Sequence, residues 1–146
     1  MKLFFISILF GIIPYFNQQD KIHVSCEDIS IKCTQIKEGN YFINSQNEFE
    51  DQLQIKSTHP ICVNYELPKI DFDKYSLLGF VASTGGCEEP TIKYFVTNNN
   101  LLNISEFNIE INEIGECLRN NIVTVWCLVP KINNEVKFNV NYIYTK

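Results

Sequence analysis

The stretch from Leu77 to Ala82 constrains the fold more than any other. It is apolar at alternate and intervening positions alike, broken only by Gly79. A strand with apolar side chains on both faces must be covered on both faces, so this segment predicts a central strand. Asp71-Phe72-Asp73 supplies a turn ahead of it, and Thr84-Gly85-Gly86-Cys87 closes it. Gly85-Gly86 resembles part of a phosphate loop, but Glu88-Glu89-Pro90 follows where such a loop needs a helix carrying Lys and Ser or Thr. The acids repel anions and the proline stops a helix, so that reading is set aside.

Further strands follow from pattern. Ile92 to Val96 reads as a strand turned by Asn98-Asn99-Asn100. Phe107 to Asn112 alternates apolar and polar residues, the signature of a half-buried antiparallel strand. Ile122 to Val129 is a second strongly apolar strand, and Val136, Phe138, Val140 and Tyr142 alternate with polar residues beyond Asn133-Asn134, which predicts a hairpin. Tyr41 to Ile43 and Ile61 to Tyr65 are shorter candidates, with loosely built pieces at Ile22–Val24 and Ile29–Cys33. One helix is expected, over 46–54: Ser45-Gln46-Asn47-Glu48 forms a capping box, and Phe49 and Leu53 share a face. Eleven Phe and seven Tyr among 146 residues suit such pleated surfaces. The expected fold class is therefore mainly β, an antiparallel sandwich or partly open barrel with one short helix.

The chain begins Met1-Lys2, runs apolar from Leu3 to Ile13, breaks at Pro14 and turns polar at Asn17 to Asp20. The run is shorter than the ~20 residues that span a bilayer. It matches a secretory signal peptide, removed near 17–22 to leave one β-rich domain over 21–146. A lipid-anchored Cys26 is disfavoured, because His23 stands where a lipobox carries Leu. The expected location is outside the cytoplasm, secreted or in a periplasm or cell envelope, with no membrane span once the leader is gone. The net charge of −5 and the lack of a Lys/Arg cluster exclude nucleic acid as a natural partner.

Six cysteines, Cys26, Cys33, Cys62, Cys87, Cys117 and Cys127, follow the leader, an even set that reads as disulfides. Spacing does not select the pairing. Cys87 with Cys117 is preferred because both follow a glycine context. Closing that loop stabilises by about 3.5 kcal/mol in the chain-entropy description. Cys26 with Cys33, as a local bridge, and Cys62 with Cys127 complete the set. Metal binding finds no Cys-x-x-Cys, and His59 three residues before Cys62 is an isolated coincidence.

Asp71 and Asp73 point the same way on an extended chain, but no further oxygen ligands lie at a calcium-site spacing. Trp126, the single tryptophan, reads first as core and second as a ligand-stacking ring. Together Asp71, Asp73 and Trp126 are the candidate binding surface. No catalytic residue and no cofactor is expected. The leading functional expectation is a non-catalytic module with a protein partner in the envelope or medium. The alternatives are a hydrolase or metal-dependent enzyme, which requires His59, Asp71, Asp73, Glu88 or Glu89 in one pocket, and a carrier with an aromatic-lined pocket.

Several of these motifs together, Ile43-Asn44-Ser45 before a short helix, Ile70-Asp71-Phe72-Asp73-Lys74-Tyr75-Ser76-Leu77-Leu78-Gly79, and Thr84-Gly85-Gly86, resemble the C-terminal domain of the PrcB-like protease-complex subunits. Small bacterial envelope proteins with Gly-Cys, a later Gly-x-Cys and a Trp-x-Leu-Val-Pro-Lys strand are also similar; here these are Gly86-Cys87, Gly115 to Cys117 and Trp126 to Lys131. The chain departs from the pattern at Cys87, where an aromatic is usual. The resemblance implies a secreted or envelope-associated β domain without catalysis, and carries over no catalytic residue.

Overall fold

The structure, a computed structural model, describes residues 21–34, 36–53 and 62–146. The leader segment, His59 and the first residue of the Ile61–Tyr65 candidate strand lie outside these residues. Among the described residues, eight strands and one helix follow in the order β1 (Lys21–Val24), β2 (Glu27–Asp28), β3 (Gly39–Ile43), α1 (Gln46–Gln52), β4 (Tyr75–Thr84), β5 (Thr91–Asn99), β6 (Ile104–Ile114), β7 (Asn121–Pro130) and β8 (Glu135–Thr145). They form two four-stranded sheets, ordered β1-β5-β6-β8 and β2-β7-β4-β3. The fold is a β sandwich, not a closed barrel. Cys62 opens a turn, so no strand forms over the described part of the Ile61–Tyr65 candidate.

β4 is the expected central strand. It pairs along its whole length with β7, from Tyr75↔Pro130 to Thr84↔Asn121. One face of the β4–β7 pair (Leu78, Phe80, Val123, Val125, Val129) meets Val96, Phe107, Ile109 and Ile111 of the facing sheet. Its other face (Leu77, Val81, Trp126), continued by Ile43 of the neighbouring β3, packs under Phe49, Leu53 and Phe72. The helix and its flanking loops thus form a third layer over the inner sheet. Gly79 is required here because the ring of Trp126 lies flat across its Cα; a Cβ would stand inside that ring.

The capping box forms with one change. Glu48 N–H donates to the Ser45 hydroxyl at 3.3 Å, while the Glu48 carboxylate reaches back to the N–H of Asn44, not of Ser45. Leu53 caps the helix rather than continuing it.

The predicted hairpin of β7 with β8 does not form. β7 already has β4 and β2 as neighbours, and β8 crosses to the other sheet, where it runs parallel to β6 from Ile104↔Glu135 to Ile114↔Thr145. A polar staple directs the crossing. Ile132, buried in the core, donates its N–H to the Ser76 hydroxyl at 2.9 Å, Ser76 in turn donates to Asn44, and the Asn44 amide returns to the Ile132 carbonyl at 3.0 Å. The Lys131 ammonium donates to the carbonyls of Asn44 and Phe72 at 2.8 and 2.7 Å. These bonds hold the chain after Pro130 against the start of β4 and leave it no room to double back.

Three disulfides are present. Cys87 bonds Cys117. The other two pairings differ from expectation: Cys26 bonds Cys127, and Cys33 bonds Cys62. A local Cys26–Cys33 bridge is precluded because Cys26 lies where the chain leaves β1 for β2, at the sandwich interior, beside fully buried Cys127 of β7. Cys33 belongs to the third layer and is tied to the segment that follows α1. The sulfur of Cys26 is thereby committed within the chain.

Two outcomes are expected in urea unfolding. Paired alanine substitution at Cys26 and Cys127, which span 101 residues, should cost about 4.7 kcal/mol, against about 3.5 kcal/mol at Cys87 and Cys117, which span 30. Gly79→Ala should cost about 1–3 kcal/mol through overpacking, and shift the emission of Trp126 to the red as the ring is displaced.

Candidate functional site

The three residues of the candidate binding surface do not share one. Trp126 is core, 4% exposed, between the Gly79 backbone and the ring of Tyr41, whose centroid is 5.5 Å away. Asp71 and Asp73 stand in the turn before β4. Trp126 is level with Gly79 and the turn ends at Lys74, so roughly 15–20 Å of strand separates them at about 3.3 Å per residue. Asp71 spends its carboxylate locally: it accepts from the Lys74 ammonium at 2.7 Å and from the N–H of Asp73 at 3.2 Å. The hydrogen bond from Lys74 holds the Asp71 carboxyl below its ordinary range, and raises Lys74 in return. Phe72 between them is buried against Phe49. The turn is therefore an anchor for the third layer, with its carboxylates on the wet side.

A cleft of about 680 Å³ opens where the chain after β2 passes over β7, lined by Asp28, Ser30, Tyr94, Thr124 and Trp126 among others. The six-membered ring of Trp126 lies against Gly79, and its buried indole N–H has no hydrogen-bond partner among the described residues. Tyr94 donates its hydroxyl to Asp28 across the cleft. Burial, then the bond to Asp28, push the Tyr94 phenol up to about 12.

The Gly85-Gly86 pair holds a carboxylate instead of a phosphate: the Gly85 N–H donates to buried Glu113 at 3.1 Å. Gly86 donates to the Cys117 carbonyl in the β6–β7 connection at 3.2 Å, and Cys87 to the Ile114 carbonyl at the end of β6 at 2.6 Å. Gly115 is in the left-handed region at φ 80°, and a Cβ there would lie 2.6 Å from the Cys87 sulfur, so glycine is needed on both counts. Glu88 and Glu89 follow at this end of β4, while Asp71 and Asp73 lie at the other, about 30 Å away for a ten-residue strand. The acids named for a hydrolytic site are therefore not gathered. Among the described residues no three His, Cys, Asp or Glu side chains converge to metal-binding range.

The surface is not uniformly polar. On the outer face of the sheet β1-β5-β6-β8, Phe95 is half exposed beside His23, and amides of Asn108 and Asn139 are joined at 3.0 Å. The strand over β8 was expected; its place at the edge of this sheet, beside β6, was missed. It closes one side of this sheet with no strand beyond it among the described residues, is eleven residues long, and its far half exposes Tyr142, Ile143 and Tyr144. The assumed hairpin hid this edge. The available signal was alternation: β8 is polar on one side like β6, whereas β7 is apolar on both.

No family model, curated protein or solved structure matches this chain. No helix among the described residues is long and apolar enough to cross a membrane. Three disulfides are the covalent pattern of a chain matured in an oxidising compartment.

Near-ultraviolet titration should find one phenol ionising near pH 12, absent in Tyr94→Phe. Because this phenol ionises later in the folded chain than in the unfolded one, its contribution to stability is complete below about pH 10 and lost as pH rises towards 12. The stability difference between the parent and Tyr94→Phe should shrink across that window in urea unfolding.

Proposed function

We propose that the chain is an exported, disulfide-stabilised β module without catalysis of its own, which works by binding protein. The observation that carries this reading is the open edge of β8: eleven residues of extended backbone with donors and acceptors on one side and no strand among the described residues to receive them. Such an edge adds a further strand through main-chain bonds, with neighbouring side chains supplying selectivity. The exposed Tyr142, Ile143 and Tyr144 give it apolar contacts beyond the hydrogen bonds. The leader-like start and the resemblance to envelope-associated PrcB-like domains agree with export to the medium or envelope. A hydrolase is disfavoured by the length of β4 between its acidic pairs.

The test is photo-crosslinking from β8 of the mature protein in the medium or envelope of the cells that make it, with products read by mass spectrometry. Crosslinks should concentrate on β8 and fall away when Tyr142→Pro removes an edge donor. Products spread evenly over the surface, or none, would overturn the reading.

A small-ligand carrier is the second reading, favoured by the unpartnered indole N–H beside the cleft.

A further inference from the structure

We infer that the partner of β8 is a second copy of β8, joined antiparallel about a two-fold axis through Val140. This rests on the reading of β8 as a docking edge and names its occupant.

Backbone direction comes first. The Thr145 carbonyl accepts from Gly115 N–H at 2.8 Å, so the peptide groups of Thr145 face β6. Successive residues of an extended chain direct their peptide groups to opposite sides. Ile143, Asn141, Asn139, Lys137 and Glu135 therefore face β6 with Thr145, and Val136, Phe138, Val140, Tyr142 and Tyr144 present N–H and C=O to the open side. Val140 is also the midpoint of Glu135–Thr145. A dyad there lets the two Val140 residues exchange both bonds, as a narrow antiparallel pair requires, and matches every residue of one strand with a residue of the other.

The side chains agree with that register. Towards the interior, Phe138 stands opposite Tyr142 and Val136 opposite Tyr144. Tyr142 is 38% and Tyr144 74% exposed in the single chain, and the second copy would cover both. On the outer face, Asn139 meets Asn141, Glu135 meets Thr145, and Lys137 meets Ile143. No charge faces its like. A parallel pairing in register would set Lys137 against Lys137 and Glu135 against Glu135, which is unfavourable. Edge strands are normally blunted by proline, bulges, shortness or central charges. β8 has no proline or glycine, and its two charges, Glu135 and Lys137, are confined to one end. Pairing would join two four-stranded sheets into one of eight strands.

Sedimentation of the disulfide-intact protein over a range of concentrations tests this. A monomer–dimer equilibrium is expected. Tyr142→Pro removes an edge N–H without touching the β6 ladder, a place where an edge strand tolerates proline. It should abolish the dimer while circular dichroism stays that of the parent. Ile143→Glu places a carboxylate opposite Lys137 and should tighten the dimer at low salt; Ile143→Lys places like charges together and should weaken it. The two should differ on the order of tenfold in dissociation constant. The Ile143 variants leave the backbone intact and decide the matter even if Tyr142→Pro fails to fold. A monomer at every concentration, a dimer indifferent to Tyr142→Pro in its folded form, or equal affinities for the two Ile143 variants would overturn the proposal. Monomeric protein that still crosslinks from β8 to a different chain would overturn self-pairing and leave the docking reading standing; loss of both would remove the two together.

Discussion

The structure depends on one constraint: the β4–β7 pair is apolar on both faces and must be covered twice. The first cover is the facing sheet, through Val96, Phe107, Ile109 and Ile111. The second is the short helix with its loops, through Phe49, Leu53 and Phe72. A helix of two turns has little stability alone. It persists because Phe49 and Leu53 are fully buried on the inner sheet and because Ser45 and Glu48 satisfy its first donors. Trp126 shows how close that second contact is, since its ring can lie on the sheet only where residue 79 has no side chain.

Two covers on one strand pair oblige the chain to keep changing sheets. It crosses after β1, after β4, after β6 and after β7. The crossings after β4 and β6 lie side by side, joined by the Gly86↔Leu118 bridge and by the Cys87–Cys117 disulfide. The crossing after β7 is held by Ser76, Asn44 and Lys131 instead. Cys26–Cys127 adds a covalent tie within the sandwich interior itself. Each device sits where loop chain would otherwise be free to let the layers part, so the cross-links divide their work by layer and not by closeness in sequence. The local pairing of Cys26 with Cys33 fails for that reason: those residues, seven apart, serve different layers.

Much of this was legible beforehand. Alternation at Phe107 to Asn112 marked β6 as one-sided, continuous apolarity at Leu77 to Ala82 marked β4 as two-sided, and Ser45 to Glu48 marked the helix start. The partner of β8 was not legible from loop length, because a short connection after Pro130 suits a hairpin as well as a crossing. What decides it is the buried hydroxyl of Ser76, 56 residues away, which receives the N–H of Ile132. The position of Trp126 likewise followed from apolar pattern, whereas its orphaned N–H depends on how the chain after β2 crosses β7, a tertiary matter that no local motif encodes.

The open edge is a consequence of the same economy of layers. Among the described residues the sheets have four edge strands, β1, β8, β2 and β3, and three of these are short, with four, two and five residues for β1, β2 and β3. Short edges offer few bonds to a stranger. β8 cannot be short, because it must cover all of β6, from Ile104 to Ile114, whose Phe107 needs Phe138 against it at 5.7 Å. Whatever strand protects β6 inherits an eleven-residue edge of its own. Had β8 folded back on β7, the inner sheet would have gained a half-polar strand and β6 would have stood unprotected. The exposure is thus moved outward by one strand, to a position where the interior side carries valines and aromatics and the outer side carries amides. That composition suits contact with another strand better than permanent contact with water.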